Sequence, residues 1–484
     1  MTTIKLDPGA ALLLDALHGA GHAAYAVGGC VRDSLLGLDP HDWDLCTSAR
    51  PEQVMALFGE EKCIPTGLQH GTVTVKQGGR LYETTTFRTE GAYSDGRHPD
   101  AVCFVPDVRE DLARRDFTIN AMAYSAEEGL IDPFGGRDDL AAHLVRAVGE
   151  PERRFEEDAL RILRLYRFAA RFGFAIDPAT GAAARALGPH LDCVSAERIQ
   201  EELLKLLAAP RPGSYLEPAV LAVVLPELEP EKQPERFAEL CRTIDRIEPT
   251  AENVPARLAA LLCPLGEAGA RKALRKLKCS NALTDEVTAL EREAGGGAGS
   301  FLLPRSRDRW AGSSSEDRPL GWDPAAAGSR AGDGMACNSN DRRQWRMQEV
   351  AVGVAASDTQ AMRSGCWEPQ PELVSDQTLM AKRLLGRYEL PTIQRLTALC
   401  SARHPEQTGA FAALQAEAEQ LTAENACCRV SQLAVNGRDL MAAGVRPGPG
   451  LRQVLNALLE AVITGQTPNE KDALLAAAAQ FSAS

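Results

Sequence analysis

Residues Tyr25–Leu45 read YAVGGCVRDSLLGLDPHDWDL, and the order of residue types here decides what the chain can be. Tyr25, Ala26 and Val27 make a short apolar run suited to a strand, broken by Gly28-Gly29. A helix-compatible segment carrying Arg32 and Asp33 follows, and then Asp42-Trp43-Asp44. Side chains two apart on an extended strand point the same way. Asp42 and Asp44 are therefore expected to set two carboxylates on one face, able to share a divalent metal. Hard oxygen ligands suit Mg²⁺, which one or two carboxylates plus substrate phosphates usually hold. The paired glycines let backbone come close to a phosphate and offer amides to it. Alone, a Gly-Gly is a turn and an Asp-x-Asp a solvated loop. In this order they make a phosphate cradle beside a carboxylate pair, the minimum for metal-assisted nucleotidyl transfer.

Working outward, 484 residues are too many for one ordinary core, so two to four domains are expected. Apolar content of 44% with 25% charged residues is that of soluble globular protein. No apolar run reaches spanning length, and MTTIKLDPGA lacks a secretory pattern, which predicts a cytoplasmic protein without a membrane partner. The 13 cysteines are odd in number and form no C-x-x-C pair, so reduced, mostly buried thiols are expected. A net charge of −13 argues against a nucleic-acid partner, but local patches rather than net charge set phosphate contacts. Arg271, Lys272, Arg275, Lys276 and Lys278 are spaced to line a helix, as a solvated face or as an RNA groove.

Short β-rich runs mixed with helices occupy residues 10–148. Val73-Thr74-Val75 and Tyr82–Phe87 read as strands joined by a Gly78-Gly79 hairpin turn. From 150 to 292 the apolar residues, among them Leu160, Leu163, Leu165, Phe168 and Phe172, recur at helical intervals. Residues 295–377 fit neither pattern. They hold Trp310, Trp322, Trp345 and Trp367 but, between Pro304 and Pro371, only Leu320 and no isoleucine. Such composition cannot bury enough apolar surface to offset chain entropy. It reads as a disordered, inserted or out-of-frame segment, with a genuine insertion as the alternative. Helical patterning is expected to resume at Ala381 and run to the end.

Four further stretches carry chemistry. Glu83, on the YETTTF strand, could stand beside Asp42 and Asp44 to help deprotonate a hydroxyl or hold metal, or could lie on an exposed face. Arg88–Pro106 holds Gly91, Gly96 and Pro99 among polar residues and reads as a mobile loop. In Arg114–Asn120 (RRDFTIN) the guanidiniums can fork onto phosphates, while Asp116 and Asn120 can hydrogen-bond ribose hydroxyls. In Glu157–Arg164 (EDALRILR), helical spacing would project Asp158, Arg161 and Arg164 from one face. Ordinary intrahelical ion pairing also explains that spacing and, for an anonymous helix, is the favoured account. A functional reading is that Asp158 accepts from the exocyclic amine shared by cytosine and adenine while Arg161 donates to ring acceptors.

Together GGCVRDSLLG, DWDL, RRDFTIN, DPFGG at Asp132–Gly136, EDALRILR and the SAERI stretch at Ser195–Ile199 resemble the class II tRNA nucleotidyltransferases (CCA-adding enzymes) and the related bacterial poly(A) polymerases. The resemblance is close over residues 22–290, looser over 380–475, and fails over 295–377. It implies an α+β fold: a nucleotidyltransferase head with a mixed sheet and helices, followed by an all-α neck, body and tail. Boundaries at 1–148 (head), 149–210 (neck), 211–294 (body), 295–377 (insert) and 378–484 (body and tail) follow. It further implies template-independent addition of C and A to the tRNA 3′ end from CTP and ATP, with pyrophosphate released. Poly(A) addition to RNA is the alternative, because the motifs are shared. By resemblance Asp42, Asp44 and Glu83 are catalytic, Asp42 and Asp44 hold Mg²⁺, and Gly28, Gly29, Arg32, Arg115, Asp116, Asn120, Asp158, Arg161 and Arg164 bind nucleotide. Asp116 and Asn120 are assigned to the ribose with Arg115 in support, Arg164 to phosphate or base, 88–106 to a flexible loop, and 195–203 to structural support. Two other classes are weighed. A phosphohydrolase built on His-Asp pairs is excluded, because His41-Asp42 is the only such dipeptide. A non-catalytic RNA-binding protein would release no pyrophosphate.

Overall fold

Asp7 opens the first element: its carboxylate accepts from the amides of Gly9 and Ala10 at 2.9 and 3.2 Å, and Pro8 starts the helix Pro8–Gly19. That helix buries Leu13, Leu14 and Leu17. The computed structural model describes residues 3–90, 102–295 and 374–481. Among the described residues up to Ile131, nine strands follow: β1 (Ala24–Val27), β2 (Leu45–Thr47), β3 (Cys63–Gly67), β4 (Thr72–Gln77), β5 (Arg80–Thr86), β6 (Arg88–Glu90), β7 (Val102–Phe104), β8 (Ala123–Ser125) and β9 (Gly129–Ile131). Seven of them form one sheet in the order β3-β4-β5-β2-β1-β8-β9.

β1 shows why its sequence is apolar without alternation. Ala24 and Ala26 enter the main core, while Tyr25 and Val27 enter a second cluster with Cys46 and Phe87. A strand covered on both faces needs a continuous apolar run. Gly78 and Gly79 both have positive φ, 57° and 80°, and close the predicted hairpin with Gln77 opposite Arg80. β2 and β5 pair in parallel, Leu45 beside Thr84, whereas the sheet's other pairs are antiparallel. The parallel pair brings the starting ends of β2 and β5 to the same end of the sheet. β6 and β7 form a separate antiparallel ribbon. The loop expected around Gly91, Gly96 and Pro99 lies outside the described residues, and only this ribbon at its base is seen.

Beyond residue 150 the described chain is helical, save for Ala175–Ile176, which pairs with Leu144–Val145. One buried cluster continues from Ile4 through these helices to Cys428. Leu433, Leu440, Leu458 and Leu474 belong to a smaller core in the last helices. The chain is therefore α+β, with a mixed sheet first and helices after it. Helix Asn281–Gly295 packs against Leu390–Arg403, joined by Glu291–Arg403 at 2.7 Å and by Glu286–Arg395. Helical structure resumes at Asp376 rather than Ala381, because Ser375 caps the new helix by accepting from the Thr378 amide. The reading of 295–377 otherwise falls outside the described residues. All eleven described cysteines are free, but only five are buried, and Cys103 and Cys193 are exposed. Among the described residues, no helix is long and apolar enough to cross a membrane.

Candidate active site

Asp42 and Asp44 precede β2 instead of lying within it, yet the extended lead-in keeps the alternation the sequence predicts. Trp43 is buried and both aspartates are exposed. The Asp44 carbonyl accepts from the Val27 amide at 2.9 Å, which ties this segment to β1. Since Leu45 lies beside Thr84, one step back sets Asp44 next to Glu83. Water reaches Asp44, but protein walls it closely. That burial, with the charge of Glu83, pushes its carboxyl up to about 6; Arg115 opposes the rise and Asp42 adds to it. Carboxylates crowded in this way call for a cation. Among the described residues no group of three or more His, Cys, Asp or Glu side chains forms a metal cage. Two carboxylates open to substrate oxygens nevertheless fit a hard divalent ion that completes its shell with phosphate and water.

Gly28 turns the chain between β1 and the helix Gly29–Leu35 with φ of +77°, a conformation L side chains rarely adopt. A Cβ there would stand 3.0 Å from Nη1 of Arg115. The Gly28 amide donates to the Met122 carbonyl at 3.1 Å, so it is not the open phosphate donor expected from the sequence. Nη2 of Arg115 reaches Asp111 at 3.3 Å. Asp111 is fully buried; burial alone would raise its carboxyl, but Arg114 and Arg115 hold it below the usual carboxylate range.

Arg32, Asn120, Asp116 and Arg164 are joined in one chain of side chains. Arg32 Nη1 donates to Asn120 Oδ1 at 2.5 Å, and Asn120 Nδ2 donates to Asp116 Oδ1 at 3.0 Å. Asp116 Oδ2 accepts from Arg164 Nε at 2.9 Å and from its Nη2. Arg32 is buried, bonds Asp33 through Nε at 2.7 Å, and lies over the rings of Phe168 and Phe172. Burial would raise the Asp116 carboxyl, yet Arg164, Asn120 and Arg161 hold it far below the ordinary range. The expected ribose pair Asp116–Asn120 thus fastens the sheet region to helix Leu160–Phe172.

The EDALRILR stretch is not one helix. Helix Pro151–Glu157 ends, Asp158 is extended with φ of −146°, and helix Leu160–Phe172 begins anew. The single-helix arrangement of Asp158 with Arg161 and Arg164 is corrected accordingly, although all three line one cleft. The break arises because the Asp158 carboxylate turns back to accept from the Leu160 amide at 3.1 Å, local competition typical of Asp. Its other oxygen accepts from Arg198 at 2.8 Å. Arg161 donates to the carbonyls of Arg154 and Arg114 at 2.9 and 3.1 Å and to Glu157 at 2.6 Å. The sequence marks Arg198 only as part of a structural stretch, because nothing in its local spacing links it to Asp158, forty positions earlier.

A cleft of about 250 Å³ gathers these groups. Its lining includes the guanidiniums of Arg114, Arg115, Arg161, Arg164 and Arg198 and the carboxylates of Asp116 and Asp158. Five cations against two anions make the cleft formally positive by three, although the whole chain carries −13. Arg115 links the cleft to Gly28 and Asp44. Gly28, Gly29, Asp42, Asp44 and Glu83 stand outside the cleft lining, as do the buried Arg32 and Asn120. In the basic helix Gly266–Lys276, Lys272, Arg275 and Lys276 are exposed, whereas Arg271 pairs with Asp285 at 2.9 Å, and beyond the helix Lys278 pairs with Glu197 at 2.6 Å.

Known proteins similar to this chain match most of its length. The model of the Poly A polymerase head domain matches residues 24–146, that of a probable RNA and SrmB-binding site of polymerase A matches 173–231, and that of tRNA nucleotidyltransferase domain 2 matches 383–478. The CCA-adding enzyme of Limosilactobacillus fermentum is 33% identical over 478 residues, 97% of this chain and 96% of that protein. The Bacillus stearothermophilus CCA-adding enzyme in complex with CTP superposes with a TM-score of 0.69 at 29% identity, over 98% of each chain. The Thermotoga maritima CCA-adding enzyme complexed with tRNA shares the fold, with a TM-score of 0.60 at 20% identity over 98% of this chain and 96% of that one.

Proposed function

The chain belongs to the CCA-adding enzyme family, and from that premise we propose that it adds C and A to the 3′ end of tRNA, without a nucleic-acid template, from CTP and ATP. The observation that carries this reading is the positive cleft joined through Arg115 to the Asp42–Asp44 carboxylates. A nucleoside triphosphate is polyanionic, and its reacting phosphorus must lie between the cations that bind it and the groups that activate the attacking hydroxyl. The boundaries 1–148, 149–210, 211–294 and 378–484 serve as head, neck, body and tail, and the site of action is the cytoplasm.

Asp42 and Asp44 would hold Mg²⁺, which supplies charge neutralisation and a more acidic hydroxyl when bound. Glu83, beside Asp44, accepts the proton of the tRNA 3′-hydroxyl as that oxygen attacks the α-phosphorus and pyrophosphate leaves. The Gly28–Gly29 turn admits the triphosphate because no Cβ stands in its way. The Asp116–Asn120 pair keeps the ribose wall in place, and Arg164, a third exposed, offers its outer edge to the nucleotide. Asp158 accepts from the amine of cytosine or adenine with the lone pairs that Arg198 and Leu160 leave open. For Arg161 to read the base, one of its bonds to Arg114, Arg154 or Glu157 must be exchanged.

Incubation with tRNA lacking its terminal CCA, with labelled CTP and ATP, tests the reading. Two C residues followed by a single A are expected. Long A tails without C would instead establish poly(A) addition, and absence of pyrophosphate would establish a non-catalytic protein.

A further inference from the structure

We propose that Asp111 is a positioning residue for nucleotide binding, one that touches no substrate and acts by setting Arg114 and Arg115 at the wall of the cleft; this rests on the nucleotidyl-transfer reading above. Asp111 is fully buried and stands outside the cleft lining, whereas both arginines belong to it. Its Oδ1 accepts from Arg114 Nε and Nη2 at 3.0 and 2.8 Å and from the Arg88 amide at 3.3 Å. Its Oδ2 accepts from Arg115 Nη2 at 3.3 Å. Residues three and four positions on share a helical face with the first, so one carboxylate meets both guanidiniums. The Arg88 amide comes from β6 and fixes which way the carboxylate is turned. The seat itself is held by packing: helix Val108–Ala113 sinks Val108 and Leu112 into the cluster of Tyr25, Val27, Cys46 and Phe87.

Arg114 and Arg115 share the cleft with Arg161, Arg164 and Arg198, against only two lining carboxylates, Asp116 and Asp158. Like charges gathered in this way repel, and an arginine is long enough to swing out into water. Arg161, Arg164 and Arg198 are held by Glu157, Asp116 and Asp158. Asp111 does the same for two cations at once, from a place that substrate does not reach. A site whose charges are fixed before the ligand arrives binds more tightly, because less ordering is left to the binding step. Asn at this position would keep the shape and one acceptor oxygen, but it would lose the charge and aim an N–H at a guanidinium. Charge rather than volume therefore does the positioning.

The test measures CTP binding by titration calorimetry and steady-state C addition to tRNA lacking its terminus. Wild type, Asp111→Asn, Asp111→Glu, Arg114→Gln and the variant combining Asp111→Asn with Arg114→Gln are compared. Asp111→Asn is expected to weaken CTP binding and raise the KM for CTP by about 10–100-fold, with the KM for tRNA unchanged. Asp111→Glu keeps the charge, displaced by one methylene, and should fall between Asp111→Asn and wild type. Since Asp111 acts in part through Arg114, the combined variant should lose less than the product of the two single losses. Asp111→Glu carries the test with the same readings if Asp111→Asn does not fold. A lowered kcat with wild-type CTP affinity, a rise confined to the KM for tRNA, or fully multiplicative losses in the combined variant would each overturn the proposal, marking a residue that only supports the fold. A wild type that binds CTP but adds no C to tRNA would sink the nucleotidyl-transfer reading alone, and the calorimetry would still decide the role of Asp111.

Discussion

Replacing Asp116 by Asn removes the charge that Arg164 meets at hydrogen-bond distance and that reaches Arg32 through Asn120. Asp116 is 8% exposed, and both Arg164 bonds fall on Oδ2. Breaking a buried ion pair costs about 3–5 kcal/mol. The Arg164 side chain is 33% exposed, so water screens part of that loss, and Asn keeps an acceptor oxygen. A destabilisation of about 2 kcal/mol remains. The pH dependence has a definite sign. Asp116 is held below its unfolded value, so its contribution is complete above the unfolded pKa of about 4 and fades as pH falls toward the folded value. Urea unfolding of full-length protein should therefore show wild-type stability declining more steeply on the acid side than that of Asp116→Asn, with the two curves converging at low pH. Equal stability at neutral pH and equal acid slopes, alongside a loss of preference for CTP over dCTP, would refute the clasp and show Asp116 as a free ribose contact.

Asp42→Ala and Asp44→Ala should each lower pyrophosphate release by three or more orders of magnitude with little change in melting temperature, since both side chains are exposed; retained turnover would remove them from catalysis. Gly28→Ala should cost about 1–3 kcal/mol of backbone strain and slow single-turnover addition, because φ is +77° and the new methyl meets Arg115 at 3.0 Å. Arg198→Ala frees the Asp158 carboxylate to rotate and should narrow discrimination of CTP over UTP by about tenfold, the worth of one charge-assisted bond; misincorporation assays with single nucleotides read it directly. Arg257 is fully buried and donates to the carbonyls of Leu207, Ala209 and Ile247. Arg257→Met leaves those acceptors unpaired and should lower stability by about 3 kcal/mol or more, measured by urea titration.

Local patterns carried the sheet region well. The Tyr25–Val27 strand, which the structure begins at Ala24, the Gly78-Gly79 hairpin and the Asp42-x-Asp44 alternation depend on residues within a few positions of one another, and all three are present. Where the reading departed from the structure, a side-chain bond that the residue pattern does not show was responsible, some of these bonds local and some remote in sequence. EDALRILR scans as one helix, yet Asp158 leaves it to meet Leu160 and the distant Arg198. Asp116, Asn120 and Arg32 read as substrate ligands in their own segments, and only the fold shows that they also bond one another, Asp33 and Arg164.

The sequence by itself determined the elements, the positive-φ turn and the carboxylate pair, because backbone sterics and side-chain alternation act over two to four residues. Only the tertiary structure decided which charges remain available to a substrate. An arginine is neutralised by whatever carboxylate or carbonyl the fold brings within about 3 Å, and the decisive partners, Asp116 for Arg164 and Asp158 for Arg198, come from segments forty or more residues away.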